Sequence, residues 1–263
     1  MGIFAALLLL GLGIYKLSLK MKVSPQLKMS NSGSEDYERL CLEIQKKSYY
    51  YHQLSESERA IYLKRTWYFY KEKEFLARGF DEVSFHMRVV IASYAAQITF
   101  GFDDVRLRHF KTIIVYPRSY RSTITDQWHK GETHKEGAIV FSWQDLKEGH
   151  QSPKDGVNLA LHEFAHALRL ENGINNEEYR FLSEPHLQRF DQLAAVERSR
   201  IKQGTHVLLR DYAATDNHEF FAVCIENFFE RPRFFKEESP EIYQLLVHVL
   251  QQDVLSNPVR LRG

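Results

Sequence analysis

The sequence is poor in cysteine and has no excess of either charge. Its 263 residues include two cysteines, Cys41 and Cys224, which are far apart, so neither a disulfide framework nor a cysteine-type zinc site is expected. Lys and Arg number 35 against 34 Asp and Glu, a balance that argues against direct binding of nucleic acid. With 44% apolar residues, the chain can form a substantial core.

One long uncharged apolar run stands at the N-terminus, GIFAALLLLGLGIY (residues 2–15), and Lys16 and Lys20 follow it. The run is short for a membrane span, for which roughly 17–25 residues are typical, but it is extended if Lys16 snorkels. It has neither a preceding basic residue nor a small-residue cleavage site after it. We therefore expect an uncleaved membrane anchor over residues 1–22, with the rest of the chain in the cytoplasm by the positive-inside rule.

A polar segment, residues 23–36, contains Pro, Gly and Ser and is predicted to be a linker to a domain spanning residues 37–263. In this domain helical patterns dominate the first half. Ser55 and Glu58 form a capping-box signature that opens a helix predicted to reach Ala77, and Ser84 caps the next. We assign the aromatic residues of the first of these helices, Tyr62, Trp67, Tyr68 and Tyr70, to the core.

Two β-rich segments, residues 111–116 and 137–143, are predicted strands. His129 and His134 lie between them in a hydrophilic stretch, and we interpret them as solvated loop residues. Further helices are predicted over residues 183–200, from Asp216 to about Glu230, and over residues 239–253. The expected fold class is therefore α+β, mostly helical with a small β-sheet, preceded by a hydrophobic anchor helix.

The segment richest in chemistry is His162-Glu163-Phe164-Ala165-His166, a His-Glu-x-x-His motif. Two histidines four residues apart share one face of a helix, so both imidazoles can reach one metal ion, and the glutamate lies beside that ion. We predict that the helix begins at Ser152-Pro153, stops at Gly173 and buries Val157 in its apolar stripe.

A catalytic zinc ion takes three protein ligands, so a third is required. Arg169 and Gly173 do not fit the extended pattern that would supply a third histidine, and a carboxylate is expected instead. The candidates are Glu171, Glu184, Glu219 and Glu226. Glu219 and Glu226 are seven residues apart and lie near one face of their helix. Glu219 could instead be the N3 residue of a capping box that begins at Asp216. From the residues alone these two remain alternatives.

The chain resembles the Mlc titration factor A (MtfA) family of zinc peptidases over about residues 40–255. The resemblance rests on several motifs that occur in the same order as in that family. They are Val115-Tyr116-Pro117, Ser142-Trp143-x-Asp145, His-Glu-Phe-Ala-His followed by Asn172-Gly173, Tyr212-Ala213-Ala214-Thr215, Glu219-Phe220-Phe221-Ala222-Val223 and Glu226-x-Phe228-Phe229-x-x-Pro232. The resemblance implies a zincin-like metallopeptidase domain of the gluzincin type. The chain departs from the family pattern at Leu168-Arg169, because family members often have an aspartate shortly after the second histidine. The predicted N-terminal anchor is a second departure.

Carried over residue by residue, the resemblance implies His162, His166 and Glu219 as zinc ligands. It implies Glu163 as the general base and Tyr212 close to the site, where its phenol could donate to a developing oxyanion.

The expected activity is hydrolysis of a peptide or protein substrate by a zinc-activated water. We expect residues 139–142 to form the edge along which an extended substrate pairs. The alternative is a membrane-tethered regulatory protein that sequesters a partner, such as a transcriptional regulator, with weak or incidental hydrolysis.

Overall fold

The computed structural model describes residues 35–122, 126–174, 180–204, 209–257 and 259–261. The chain divides into two compact units, residues 1–39 and residues 40–263. Of the first unit, only Glu35–Arg39 are described. The predicted anchor over residues 1–22 therefore lies outside the described residues. Among the helices that are described, none has the length and apolar character of a membrane span.

The fold is mostly helical with a small sheet, which confirms the predicted α+β class at that level. The helices of the first half are α1 (Glu35–Lys47), α2 (Tyr49–Gln53), α3 (Glu56–Glu72) and α4 (Phe85–Ile98). Glu35 and Asp36, the last residues of the predicted linker, begin α1.

Local capping sets the starts of α3 and α4, as the sequence predicts. The Glu58 carboxylate accepts a hydrogen bond from the Ser55 backbone N–H at 3.0 Å, and Ser84 Oγ accepts from Met87 N at 3.3 Å. The predicted end of α3 is wrong, because residues 74–77 leave the helix and form a strand. The predicted burial of aromatic side chains holds for Tyr62, Trp67 and Tyr70, while Tyr68 is half-buried under Arg106.

Four strands form the main sheet: β1 (Glu74–Ala77), β2 (Thr112–Tyr116), β5 (Gly131–His134) and β6 (Ala138–Ser142). Their order is β1-β2-β6-β5, with β1, β2 and β6 parallel and β5 antiparallel to β6. The predicted edge at residues 139–142 is wrong, since β6 lies between two neighbours, and β5 is the edge strand on that side.

A two-stranded hairpin of β3 (Tyr120–Arg121) and β4 (Trp128–His129) precedes β5. His129 and His134 therefore lie in strands rather than in a loop. Each places Nε2 3.9 Å from the Glu132 carboxylate, which also accepts hydrogen bonds from the hydroxyls of Tyr120 and Ser122.

The helix that carries the His-Glu-x-x-His motif begins later than predicted. Helix α5 (Trp143–Gln151) ends at Gln151, with Ser152 as its C-cap. Helix α6 (Leu159–Ile174) begins after a turn in which Gly156 has φ +80°. Asn158 caps α6 through its Oδ1, which accepts from Leu161 N at 3.1 Å. The prediction of a start at Ser152-Pro153 is wrong, and Val157 is 48% exposed rather than buried.

After α6, the described residues form the helices α7 (Glu184–Lys202), α8 (Asn217–Glu230), α9 (Pro232–Glu238) and α10 (Pro240–Leu250), and a 3-10 helix over Asp211–Ala214. Asp216 caps α8 by accepting from the backbone N–H groups of His218 and Glu219. Helix α8 is buried on nearly all sides from Phe220 to Glu230 and packs against α6. This packing brings the motif face of α6 against the start of α8.

Candidate metal centre

Helix α6 presents the two histidines of the motif one turn apart. Their Nε2 atoms are 3.2 Å from each other, and the rings are nearly perpendicular, at 85°. His162 is 7% exposed, and His166 is half-buried. Both histidines therefore direct a nitrogen towards one point beside the helix.

Glu219 of α8 supplies a third group at the same point. Its Oε2 is 3.0 Å from His162 Nε2, and its Oε1 is 3.5 Å from His166 Nε2. One atom of each residue lies within 4.8 Å of the others. Donors about 2.1 Å from a tetrahedral ion are about 3.4 Å apart, so the spacing of these three groups fits a zinc ion.

The environment of Glu219 also fits a cation. Its Oε2 is buried, and among the described residues it accepts no hydrogen bond of good geometry despite its closeness to His162. A buried carboxylate oxygen without a donor is costly unless a cation satisfies it. Two imidazoles and a carboxylate are a donor set that zinc takes in catalytic sites. The residues present therefore fit a zinc ion.

Glu226, the other sequence candidate on α8, binds the opposite side of His162. Its Oε1 accepts from His162 Nδ1–H at 2.9 Å, and its Oε2 accepts from Asn158 N at 2.6 Å. Arg210 donates to the same Oε1. With the proton on Nδ1, the lone pair of His162 is on Nε2, the atom that faces Glu219 and His166. The structure thus separates two carboxylates that the sequence could not distinguish.

The carboxylates around His162 and His166 favour the binding of positive charge, either as protons or as a metal ion. Burial lowers the pKa of His162, but the carboxylates of Glu219 and Glu226 outweigh it and raise that pKa to about 10. For Glu219 burial acts in the opposite direction, and the two imidazoles lower its pKa well below the usual value. The metal-free cluster therefore attracts positive charge.

Glu163 is buried beside the histidines, with 4% of its surface exposed. Burial raises the pKa of its carboxyl, and His162 and His166 oppose that rise. Thr133 of β5 places its Oγ1 2.9 Å from Glu163 Oε2. A buried carboxylate beside these candidate metal ligands, with a proton affinity above that of a free glutamate, is suited to accept a proton.

Tyr212 lies at the open side of the cluster, on the 3-10 helix. It is 51% exposed, and its ring centroid is 5.9 Å from that of His162. Burial and the Glu219 carboxylate raise its pKa to about 12, so the phenol is protonated at neutral pH and can donate a hydrogen bond. Arg198 fixes this segment by donating to the carbonyl of Thr215 at 3.1 Å.

The other sequence candidates lie elsewhere. Glu171 accepts from the backbone N–H groups of Arg108 and His109, and Glu184 accepts from the Gln188 amide on the surface of α7. At the departure from the family pattern, Arg169 forms a two-pronged ion pair with Asp191 of α7.

Sequence reasoning missed Thr133 and Asn158, which contact Glu163 and Glu226. The short polar strand of Thr133 carries no periodic signal. The Asx cap at Asn158 could have been recognised from an asparagine directly before the apolar run.

Comparison with known proteins finds similarity to a metallo-peptidase family. A family model described as "Glucose-regulated metallo-peptidase M90" matches residues 31–251. An uncharacterized protein of Synechocystis, slr2042, is 26% identical over 213 residues, covering 75% of this chain and 78% of the relative. Mlc titration factor A of Escherichia coli is 27% identical over 165 residues, covering 56% of this chain and 61% of that protein. The chain belongs to the glucose-regulated metallo-peptidase M90 family.

Proposed function

We propose that this chain is a zinc-dependent peptidase with a zincin-like domain of the gluzincin type. The observation that carries the proposal is the convergence of His162, His166 and Glu219 next to the buried carboxylate of Glu163. Membership of a metallo-peptidase family supports the same class of reaction.

In this mechanism His162, His166 and Glu219 would hold the zinc ion. A zinc ion bound there would supply Lewis-acid chemistry, which lowers the pKa of water and polarises a carbonyl group. Glu163 accepts the proton of the attacking water on its carboxylate and passes it to the leaving amine. Tyr212 donates a hydrogen bond to the oxyanion that develops on the substrate carbonyl.

The edge strand β5 is the site at which we expect an extended substrate to pair. It is hydrogen-bonded to β6 on one side, and Gly131 and Thr133 border Glu163. A peptide that adds to an edge strand is fixed by main-chain hydrogen bonds, and its alternate side chains then face the cleft. This replaces the sequence expectation that residues 139–142 provide the edge.

The test combines metal analysis with cleavage of a mixed peptide library, on the full chain and two variants. We expect about one zinc per chain in the wild type and in Glu163→Gln, cleavage by the wild type alone, and loss of zinc in His166→Ala. Equal zinc retention by both variants would refute the ligand assignment. Zinc in the wild type without cleavage of any peptide would refute the peptidase.

The alternative is a regulatory protein that sequesters a partner with weak or incidental hydrolysis. The observation that favours it is the name of several relatives, Mlc titration factor A, which links those proteins to Mlc. A cellular phenotype that is unchanged in Glu163→Gln would support sequestration, and one that is lost would support the enzyme. The membrane anchor and the cytoplasmic placement of the domain remain predictions from the sequence. Both are compatible with either proposed function.

A further inference from the structure

The edge strand β5 presents two residues to the carboxylate of Glu163. Side chains at i and i+2 of a strand share one face, and here these positions are Gly131 and Thr133. Thr133 Oγ1 lies 2.9 Å from Glu163 Oε2 and 3.0 Å from the main-chain O of Glu163. The single proton of this hydroxyl is shared by the two oxygens, so Thr133 links the carboxylate to the backbone of its own helix.

Gly131 provides the space that the carboxylate occupies. A Cβ at this position would lie 2.6 Å from Glu163 Oε1 and 2.8 Å from both Cδ and Cγ. These contacts are too short for any side chain at 131 to coexist with the present position of Glu163. The carboxylate is thus seated on the strand backbone, with Oε1 at Gly131 and Oε2 at Thr133.

The strand itself is fixed by the interior of the sheet. Gly131 pairs with Phe141 and Thr133 pairs with Ile139, and both partners are fully buried. Phe141 also contacts Phe164, the residue that follows Glu163, with ring centroids 5.6 Å apart. The two groups that border the carboxylate are therefore anchored to the same core as the helix that carries it.

We propose that Thr133 is a positioning residue for Glu163, and that Gly131 is the seat that permits this position. Thr133 donates to Oε2 and so fixes the direction in which the carboxylate presents its remaining lone pairs to the attacking water. This inference rests on the proposed peptidase function and assigns a role to a strand that the sequence placed in a loop. The position of the Glu163 carboxylate matters because a misplacement of about 1 Å at a reacting group can reduce the rate about 100-fold.

Three variants of the full chain separate this role from a merely structural one. Thr133→Val removes the hydroxyl at nearly constant shape, Thr133→Ser retains it, and Thr112→Val makes the same change on β2, two strands away. We expect Thr133→Val to lower kcat about 10- to 100-fold with KM changed less than about threefold. Thr133→Ser should recover most of the rate, and Thr112→Val should behave as the wild type. All four proteins should bind one zinc.

A double-mutant cycle on inhibitor binding tests the coupling without turnover. The probe is a peptide hydroxamic acid, whose O–H proton is donated to a correctly placed carboxylate. In zinc-loaded protein Thr133→Val should weaken its binding about fivefold in the wild-type background and less than twofold in Glu163→Gln.

Equal losses in both backgrounds, or a Thr133→Ser that is no better than Thr133→Val, would overturn the inference. Zinc-loaded wild type that cleaves no peptide would refute the proposed function, while the binding cycle would still report on Thr133.

Discussion

His162 joins two carboxylates of one helix, because its Nε2 lies 3.0 Å from Glu219 Oε2 and its Nδ1 lies 2.9 Å from Glu226 Oε1. The two glutamates are two turns apart on α8, yet both reach the same ring from opposite sides. One of them therefore faces the proposed metal, and the other fixes the orientation and the proton of the imidazole.

Replacing each glutamate should have a different effect on zinc. Glu219→Gln removes a ligand, and we expect loss of stoichiometric zinc at micromolar concentration. Glu226→Gln leaves the three ligands in place and should weaken zinc binding about 10- to 100-fold. Competition with a chromogenic chelator measures both affinities. A larger loss in Glu226→Gln than in Glu219→Gln would reverse the two assignments.

Removal of the phenolic hydroxyl from Tyr212 should lower kcat and leave zinc in place. The loss of one oxyanion donor reduces kcat about 100- to 1000-fold in enzymes where it has been measured. Steady-state kinetics of Tyr212→Phe, with zinc analysis of the same preparation, gives the result. Tyr49→Phe on α2, where the tyrosine is 40% exposed, is the matched control and should keep full activity. A Tyr212→Phe enzyme with unchanged kcat would exclude this role.

Chelation of zinc should destabilise the folded chain. A ligand present at 1000 times its dissociation constant stabilises the native state by about 4 kcal/mol, and each kcal/mol shifts Tm by about 2–4 °C for a domain of this size. We therefore expect a chelator to lower Tm by roughly 8–16 °C. The same treatment should leave the Tm of His166→Ala unchanged, and an equal shift in that variant would show that the chelator acts elsewhere.

Two glycines give opposite predictions for stability. A Cβ at Gly101 would lie 1.9 Å from the carbonyl oxygen of Leu250, so Gly101→Ala forces the backbone apart and should cost about 2–4 kcal/mol in the free energy of unfolding. At Gly173, near the end of α6, no atom of the described residues outside the backbone of the helix itself lies within 4 Å of such a Cβ. Gly173→Ala should be neutral or stabilising by up to about 1 kcal/mol. Urea denaturation of both variants decides the matter.

His150 should make stability depend on pH. Its Nδ1 lies 3.2 Å from the hydroxyl of Tyr94, which accepts a hydrogen bond from Asn158 and so donates its own proton to the imidazole. Burial, aided by the charges of His86 and Lys47, lowers the pKa of His150 to about 4. The neutral form is thus the one that fits the folded chain.

Because the unfolded chain takes up this proton at higher pH than the folded one, His150 destabilises the fold as pH decreases from about 6.5 towards 4. Each unit by which the pKa values differ corresponds to about 1.4 kcal/mol. Urea denaturation at pH 7 and pH 5 should show a smaller loss in His150→Gln than in the wild type. Equal losses in the two proteins would contradict the prediction.

The sequence predicted those features whose cause is local. The capping box at Ser55 and Glu58, the Asp216 cap and the apolar strands β2 and β6 depend on neighbouring residues, and the structure has them at those positions. The spacing of His162 and His166 likewise determines their common face. The α+β class follows from the same local patterns.

Features that depend on packing between distant segments could not be predicted in the same way. Strand β5, Gly-Glu-Thr-His, has no alternation of apolar and polar residues from which a strand could be predicted. It is stabilised by its hydrogen bonds with β6 and by its contacts with Glu163. The start of α6 is displaced to Leu159 because Glu226 and Glu230 bind the N–H groups of Asn158 and Gly156 from α8. The choice between Glu219 and Glu226 depends on how α8 crosses α6, which is a tertiary relationship.

The dependence of the cluster on two helices far apart in the chain has a consequence for biosynthesis. Both histidines and Glu163 leave the ribosome about fifty residues before Glu219, and the turn before α6 lacks its carboxylate partners until α8 is complete. A nascent chain that ends before residue 219 therefore contains the whole His-Glu-x-x-His motif without the third group. On the proposed function, the enzyme is inert during its own translation and gains activity only when α8 has docked.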